Sequence, residues 1–326
     1  VYKRQVVAFT DSTVFSNFTM FIPGKPEYVL GVMNWLNHSE RWPWLDTVLG
    51  VAALLAAGGT VCVARSLNRQ RAWAAVLGGL LLAGAVAPWA SLQLAGASYR
   101  LPEPHTDYTR IAFEGRHSRM LLPTTPFPGP PEASFQTFYV WTQRLGFVPT
   151  FAPTLEEALE RGQVLVLVDP LQPFEPEEIA AVESFVAQGG RLLVVGDPRR
   201  ERQAPSATSQ ILAPFGLGLE ERRATTGDVY NVAGEALGRM QVSGVVTGGE
   251  PLLTLEGQAP IVGLVRHGDG VVVATAFVRP FSDQDMGTTA VVPNQHQRFL
   301  FETEFWLLRG LVSGEFPPLR LPPGEE

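Results

Sequence analysis

"VLVLVDPLQPFEPEEIAAVESFVAQGGRLLVVGDP", residues 164–198, decides how the fold is read. It opens on five consecutive apolar residues, Val164 to Val168, a run too short for a helix and lacking the alternation of a half-buried strand. Such a run belongs to a strand covered on both faces. A well-punctuated helix follows. Pro176 starts it, Glu177 and Glu178 sit in its first turn where carboxylates meet the positive end of the helix dipole, and Gly189 and Gly190 stop it. "RLLVVG", 191–196, is a second strand of the same kind. Strand, helix and strand in this order predict a parallel pair joined by a crossover helix.

The pattern continues in both directions. Upstream, Arg110 to Phe113 reads as a first strand, and Pro131 to Leu145 as a helix with Phe135, Phe138, Thr142 and Leu145 along one face. Downstream, residues 217–262 are less regular and suit antiparallel strands. "VVVATAFV", 271–278, is a last core strand, and Gln295 to Leu311 a last helix. Pro317, Pro318, Pro322 and Pro323 then mark a tail, 313–326, that cannot continue as helix. The expected fold class is α/β over residues 104–312, with a mostly parallel, flavodoxin-like sheet flanked by helices.

Ahead of this region lie two long uncharged runs, "TVLGVAALLAAGGTVCVA" at 47–64 and "AWAAVLGGLLLAGAVAPWASLQLAGAS" at 72–98. Each is about the 20 residues needed to cross a hydrocarbon core, which predicts a transmembrane hairpin, 44–66 and 72–97. The loop at 67–71 and the residue pair before it carry Arg65, Arg69 and Arg71 with no acid, so the positive-inside rule makes it cytoplasmic. The lipid bilayer is then a partner, the location is the inner membrane, and the α/β region is extracytoplasmic. The alternative is a buried soluble hairpin.

Residues 6–17, "VVAFTDSTVFSN", align with residues 272–283, "VVATAFVRPFSD", and each segment leads into a helix carrying a tryptophan, Trp35 and Trp306. This reads as an internal repeat, with residues 1–43 the carboxyl-terminal remnant of a first α/β domain and the chain a fragment. "VYKRQ", 1–5, matches the read-through translation of a sequencing adapter.

Composition narrows the function classes. A formal net charge of -7 with scattered arginines offers no basic stripe, so nucleic acid is not an expected partner. A single cysteine, Cys62, excludes an intramolecular disulfide framework and a multi-cysteine zinc site. No phosphate-loop or Gly-x-Gly-x-x-Gly pattern follows a strand, and the five histidines show no metal-ligand spacing. No cofactor is expected.

"RIAFEGRHSRM", the 164–198 stretch and the closing strand and helix together resemble the class I glutamine amidotransferase-like superfamily over residues 105–310. More narrowly they resemble its membrane-anchored branch, which includes auxiliary proteins of gliding-type ABC transport systems. Amidotransferases of that superfamily use a nucleophilic cysteine on a strand-to-helix elbow. Here the one cysteine falls in an apolar run, so the resemblance implies a module without that chemistry. In open α/β sheets ligands bind beyond the carboxyl ends of the strands. The candidate ligand-binding residues are therefore Glu114, Arg116 and His117 after the first strand, Asp169 after the second, Asp197 and Arg199 after the third, and Asp283 and Asp285 after the last. Glu114 and His117 match the acid-x-x-His turn of the related branch. Asp169-Pro170 and Asp197-Pro198 are equally good turn starters, and Glu114 to Ser118 also reads as a solvated loop.

Two functions follow. The first is a non-catalytic, membrane-anchored module for ligand binding or assembly at the cell envelope, beside other envelope or transporter subunits. The alternative is an envelope hydrolase using Glu114, His117 and Asp169 or Asp197 in acid–base chemistry on a sugar-like or peptide-like substrate.

Overall fold

In the computed structural model, the residues described are 28–29, 31–33, 108–123, 130–198, 206–289 and 292–321. The chain divides into two compact units, and residues 108–321 belong to the second. In the first unit, residues 28–29 and 31–33 are helical. The remainder of the domain remnant at 1–43, the runs at 44–66 and 72–97, the loop at 67–71 and Cys62 lie outside the described residues.

The second unit is built on one nine-stranded sheet. Its elements in chain order are β1 (Arg110–Glu114), α1 (Gln136–Trp141, continued by a 3-10 turn Thr142–Leu145), β2 (Val148–Ala152), α2 (Leu155–Arg161), β3 (Val164–Val168), α3 (Pro176–Ala187), β4 (Arg191–Val195) and α4 (Ala207–Leu212). There follow β5 (Gly218–Asn231), β6 (Ala236–Thr247), β7 (Glu250–Leu255), β8 (Ala259–His267), β9 (Gly270–Thr275), α5 (Asp283–Met286) and α6 (Gln295–Ser313). Across the sheet the order is β2-β1-β3-β4-β9-β8-β7-β5-β6. Pairing is parallel from β2 to β9 and antiparallel from β9 to β6.

This corrects the expectation of a mostly parallel sheet: the sheet is mixed, half of its pairings being antiparallel. The reason lies between β4 and β9. A parallel neighbour of β4 has to return by a crossover, and here the crossover runs through α4, the β5–β6 hairpin and the strands β7 and β8, all four strands joining the same sheet beyond β9 with β5 set between β7 and β6. The two-residue connection Gly268-Asp269, with Gly268 at a φ of 58°, closes the β8–β9 hairpin that turns the sheet from antiparallel to parallel. The expected membrane hairpin is corrected to this extent: among the described residues no helix is long and apolar enough to cross a membrane, and the runs at 44–66 and 72–97 lie outside those residues.

The five-residue apolar runs are explained by two cores. Val164, Val166 and Val168 of β3 enter one layer with Phe138 of α1 and Leu300 and Leu308 of α6. Leu165 and Leu167 enter the other, with Ala158 of α2, Val182 of α3 and Ile211 of α4. Every residue of β3 is wholly buried, and β4 and β9 alternate between the same two layers. At roughly 1.5–3 kcal/mol per buried Val or Leu, this two-sided burial is the main stabilising term of the unit.

At the β2 edge, the Val148 N–H donates inward to the Thr109 carbonyl, 2.9 Å, so the next residue along, Pro149, faces outward. Its carbonyl accepts the buried Tyr139 hydroxyl at 3.2 Å. Burial pushes the Tyr139 phenol well above its usual range and keeps the donor protonated.

One group breaks the apolar rule. Glu304, on the sheet-facing side of α6, is wholly buried, and neither carboxyl oxygen has a hydrogen-bond partner among the described residues; the same holds for Nε1 of Trp141. Burial drives the Glu304 carboxyl well above its ordinary value. Below about pH 4.3 the acid is neutral in folded and unfolded chains alike. Above that, the unfolded chain releases the proton while the folded one retains it, so stability falls as pH rises towards the folded value. Glu304→Leu is expected to raise stability by about 2 kcal/mol near neutral pH and by less at pH 4, read from urea unfolding at the two pH values.

Candidate functional site

The five parallel strands take the order second, first, third, fourth, fifth of doubly wound sheets. In that order the ligand crevice opens between the first and third strands, where successive crossover helices leave on opposite faces. Here α1, after β1, packs in the α6 layer, whereas α3, after β3, packs in the opposite one. The loops following β1 and β3 therefore flank the switch point.

Glu114 ends β1 and organises the first loop. Its side chain is wholly buried and turns back to accept the N–H groups of Arg116 at 2.7 Å, His117 at 3.0 and 3.1 Å, and Ser118 at 3.3 Å. Three successive donors converging on one carboxylate form a turn that water cannot supply in a buried place. At Gly115 a Cβ would stand 2.3 Å from the Phe151 ring, so a larger residue there has to displace that half-exposed side chain.

His117 stands at the centre of the site. Its Nδ1 lies 3.2 Å from Glu114 Oε1 and its Nε2 3.2 Å from Glu178 Oε2, while its ring stacks on Phe174 at 4.0 Å. The doubly protonated ring donates to both carboxylates and the neutral ring to one of them. Glu178 belongs to the first turn of α3, where it also accepts the Glu175 N–H as half of a capping box. Its other oxygen holds the Arg116 guanidinium at 2.8 Å. Burial falls along this chain, from Glu114 at 0 % and His117 at 1 % to Glu178 at 18 % and Arg116 at 52 % side-chain exposure.

The second loop joins the first through backbone. The Val168 N–H donates to Ser118 Oγ at 3.0 Å, and the Arg119 N–H donates to the Val168 carbonyl at 2.9 Å. Asp169 follows with a φ of 47°, a left-handed conformation uncommon outside glycine and here next to a proline. Its N–H donates to the Val195 carbonyl at 2.7 Å, tying the loop to β4.

The structure thus unites Glu114, Arg116 and His117 and sets Asp169 on the adjoining loop. Three of the remaining candidates serve elsewhere. Asp197 is buried after β4, where it accepts the Ser243 hydroxyl of β6 at 2.7 Å. Asp283 clamps the start of α1, accepting the Ser134 hydroxyl at 2.5 Å and the Thr137 N–H at 2.9 Å. Asp285 pairs with Arg279 at 3.0 Å. Arg199 lies outside the described residues. Glu178 and Phe174 are the residues that sequence reasoning missed as site members. Glu178 was legible only as a helix-start acid, and no local pattern shows that its helix begins above His117. Among the described residues no cluster of His, Cys, Asp and Glu is arranged to hold a metal ion.

No family model matches the chain, and no curated protein does. Solved structures resembling it include an exo-β-1,4-mannosidase from Opitutaceae bacterium strain TAV5, 15 % identical over 63 % of this chain and 34 % of that one, with a TM-score of 0.36. A cold-adapted β-galactosidase from Rahnella sp. R3 is 16 % identical over 63 % and 32 %, with a TM-score of 0.41. The N-terminal domain of mmIFT52 is 14 % identical over 62 % of this chain and 97 % of that one, with a TM-score of 0.45. The chain spans about a third of the length of these two glycosidases. At such scores the likenesses assign this chain neither a fold family nor an activity. The expectation of a transporter-associated membrane protein is corrected only in that no described helix can span a bilayer, the two uncharged runs lying outside the described residues.

Two substitutions test the geometry. Glu114→Gln removes a charged acceptor from three backbone donors and is expected to cost about 3 kcal/mol in denaturant unfolding. Asp283→Ala, which removes the clamp on α1, is expected to cost about 1–2 kcal/mol in the same measurement.

Proposed function

We propose that the switch-point loops form the acid–base site of a hydrolase acting on a sugar-like or peptide-like substrate. The observation that carries this reading is the carboxylate–imidazole–carboxylate chain, which runs from wholly buried Glu114 through His117 to Glu178 at the solvent edge. A buried acid that fixes one ring nitrogen of a histidine, leaving the other directed outward, is the arrangement by which proteins orient an imidazole for proton transfer.

In this reading Glu178 exchanges the proton with water or with the leaving group, because it is the carboxylate of the chain that reaches solvent. His117 passes the proton inward or outward, since each of its nitrogens faces a carboxylate oxygen at 3.2 Å. Glu114 holds the ring in place while itself fixed by three N–H groups. Arg116, half exposed beside Glu178, is placed to hold a hydroxyl or an oxyanion of the substrate.

A second reading is favoured by one observation. His117 is closed in by Phe174 and by both carboxylates, as suits a structural knot in a non-catalytic ligand-binding or assembly module of amidotransferase-like type. The two readings separate in one experiment. The purified full chain is assayed on 4-nitrophenyl glycosides and on peptide 4-nitroanilides, alongside Glu178→Gln. The hydrolase reading expects turnover of one substrate set and a loss of about a hundredfold or more in the variant, with unfolding little changed. Absence of turnover on both sets, or a variant as active as the parent, sinks it in favour of the binding module.

A further inference from the structure

We propose that the cleft between the carboxyl-terminal half of α6 and the arm that follows it binds a free α-amino acid with an apolar side chain. The cleft has a volume of about 310 Å³, within the range of small-molecule sites. It lies apart from the switch-point loops. The Arg191 Nε–H at the start of β4 donates to the Leu311 carbonyl at 2.9 Å, which puts this half of α6 at the amino-terminal ends of the parallel strands.

The cleft is held in shape by fixed contacts. Glu302, Trp306, Arg309 and Ser313 recur at the spacing of one helix face and all line it. The chain leaves α6 at Gly314, with a φ of 75°, and runs back along that face. Phe316 packs over Gly310, where a Cβ would stand 2.4 Å from its ring, and meets the Trp306 indole edge-on at 5.7 Å. Trp306 Nε1–H donates to the Pro317 carbonyl at 2.7 Å, and the Leu319 carbonyl accepts Asn231 Nδ2–H at 2.9 Å. Both the indole and the arm are therefore fixed before any ligand arrives, which lowers the ordering cost of binding.

The charges around the indole select the ligand. Arg309 and Arg320 offer two guanidinium groups, and Glu302 and Glu315 two carboxylates. Arg309 makes no ion pair among the described residues, and Arg320 has only a 3.9 Å approach to Glu235 from a side chain 77 % exposed. A simple anion would leave the carboxylates unmatched, and a simple cation the guanidinium groups. A zwitterion satisfies both signs at once, and an apolar side chain covers the indole.

The test is calorimetric titration of the full chain with L-phenylalanine, N-acetyl-L-phenylalanine and L-phenylalaninamide. The free amino acid is expected to bind saturably with a millimolar or tighter Kd, and each capped form to bind about tenfold more weakly or worse. Arg309→Met, an exposed position where the stem is retained, is expected to weaken the free amino acid about tenfold at an unchanged unfolding midpoint. No saturable heat with L-phenylalanine overturns the site. Binding of the N-acetyl form as strong as that of the free amino acid overturns the zwitterion.

Discussion

Burial of the central strands on both faces is the constraint from which the remainder of the domain follows. A strand such as β3, apolar at every position, cannot present either face to water, so helices have to cover both. Covering both faces from one continuous chain means that at some point consecutive crossovers change sides. That change falls between β1 and β3, and the loops leaving these strands diverge there and open the crevice in which Glu114, His117 and Glu178 meet. The position of the candidate site is thus a consequence of how the core is enclosed, ahead of any chemistry in the loops.

The polar chain in that crevice shows how such a place is made tolerable. Five donors, three from backbone, one from an imidazole and one from the Ser118 hydroxyl, surround the Glu114 carboxylate. Glu304, equally buried in the layer beneath α6, has none of them among the described residues. The same functional group is therefore an organiser in one layer and a liability in the other, and the difference is made by neighbours alone.

The parallel half of the fold was legible because two-sided burial leaves a strong mark: Val164–Val168 and Arg191–Val195 are near-continuous apolar runs, and the helix between them carries its own start and stop. The strand β2 was not, since "VPTFA" holds a proline and lies at an edge, where only one side must be apolar. Nor was the extent of the antiparallel half. β5 has exposed residues from Glu220 to Thr226, so that stretch carries no burial pattern, and its pairing with β6 is set by hairpin geometry instead of by local composition. Of the site, the members within one loop were legible from their spacing. Glu178 was not, because its place above His117 depends on where a helix sixty residues further on begins.

The outward-facing Pro149 has a consequence for self-association. A strand at the margin of a sheet is a template on which another chain can crystallise, strand upon strand, unless its outer ladder is broken. Val148 and Phe151 make β2 apolar enough to invite such growth. Yet at Pro149 the outer donor is missing, and the outer acceptor is already occupied by the Tyr139 hydroxyl. An incoming strand finds two of its bonding positions closed in the middle of a five-residue edge. The nine-stranded sheet is in this way terminated chemically at β2, and its apolar margin can remain near the surface without seeding a fibre.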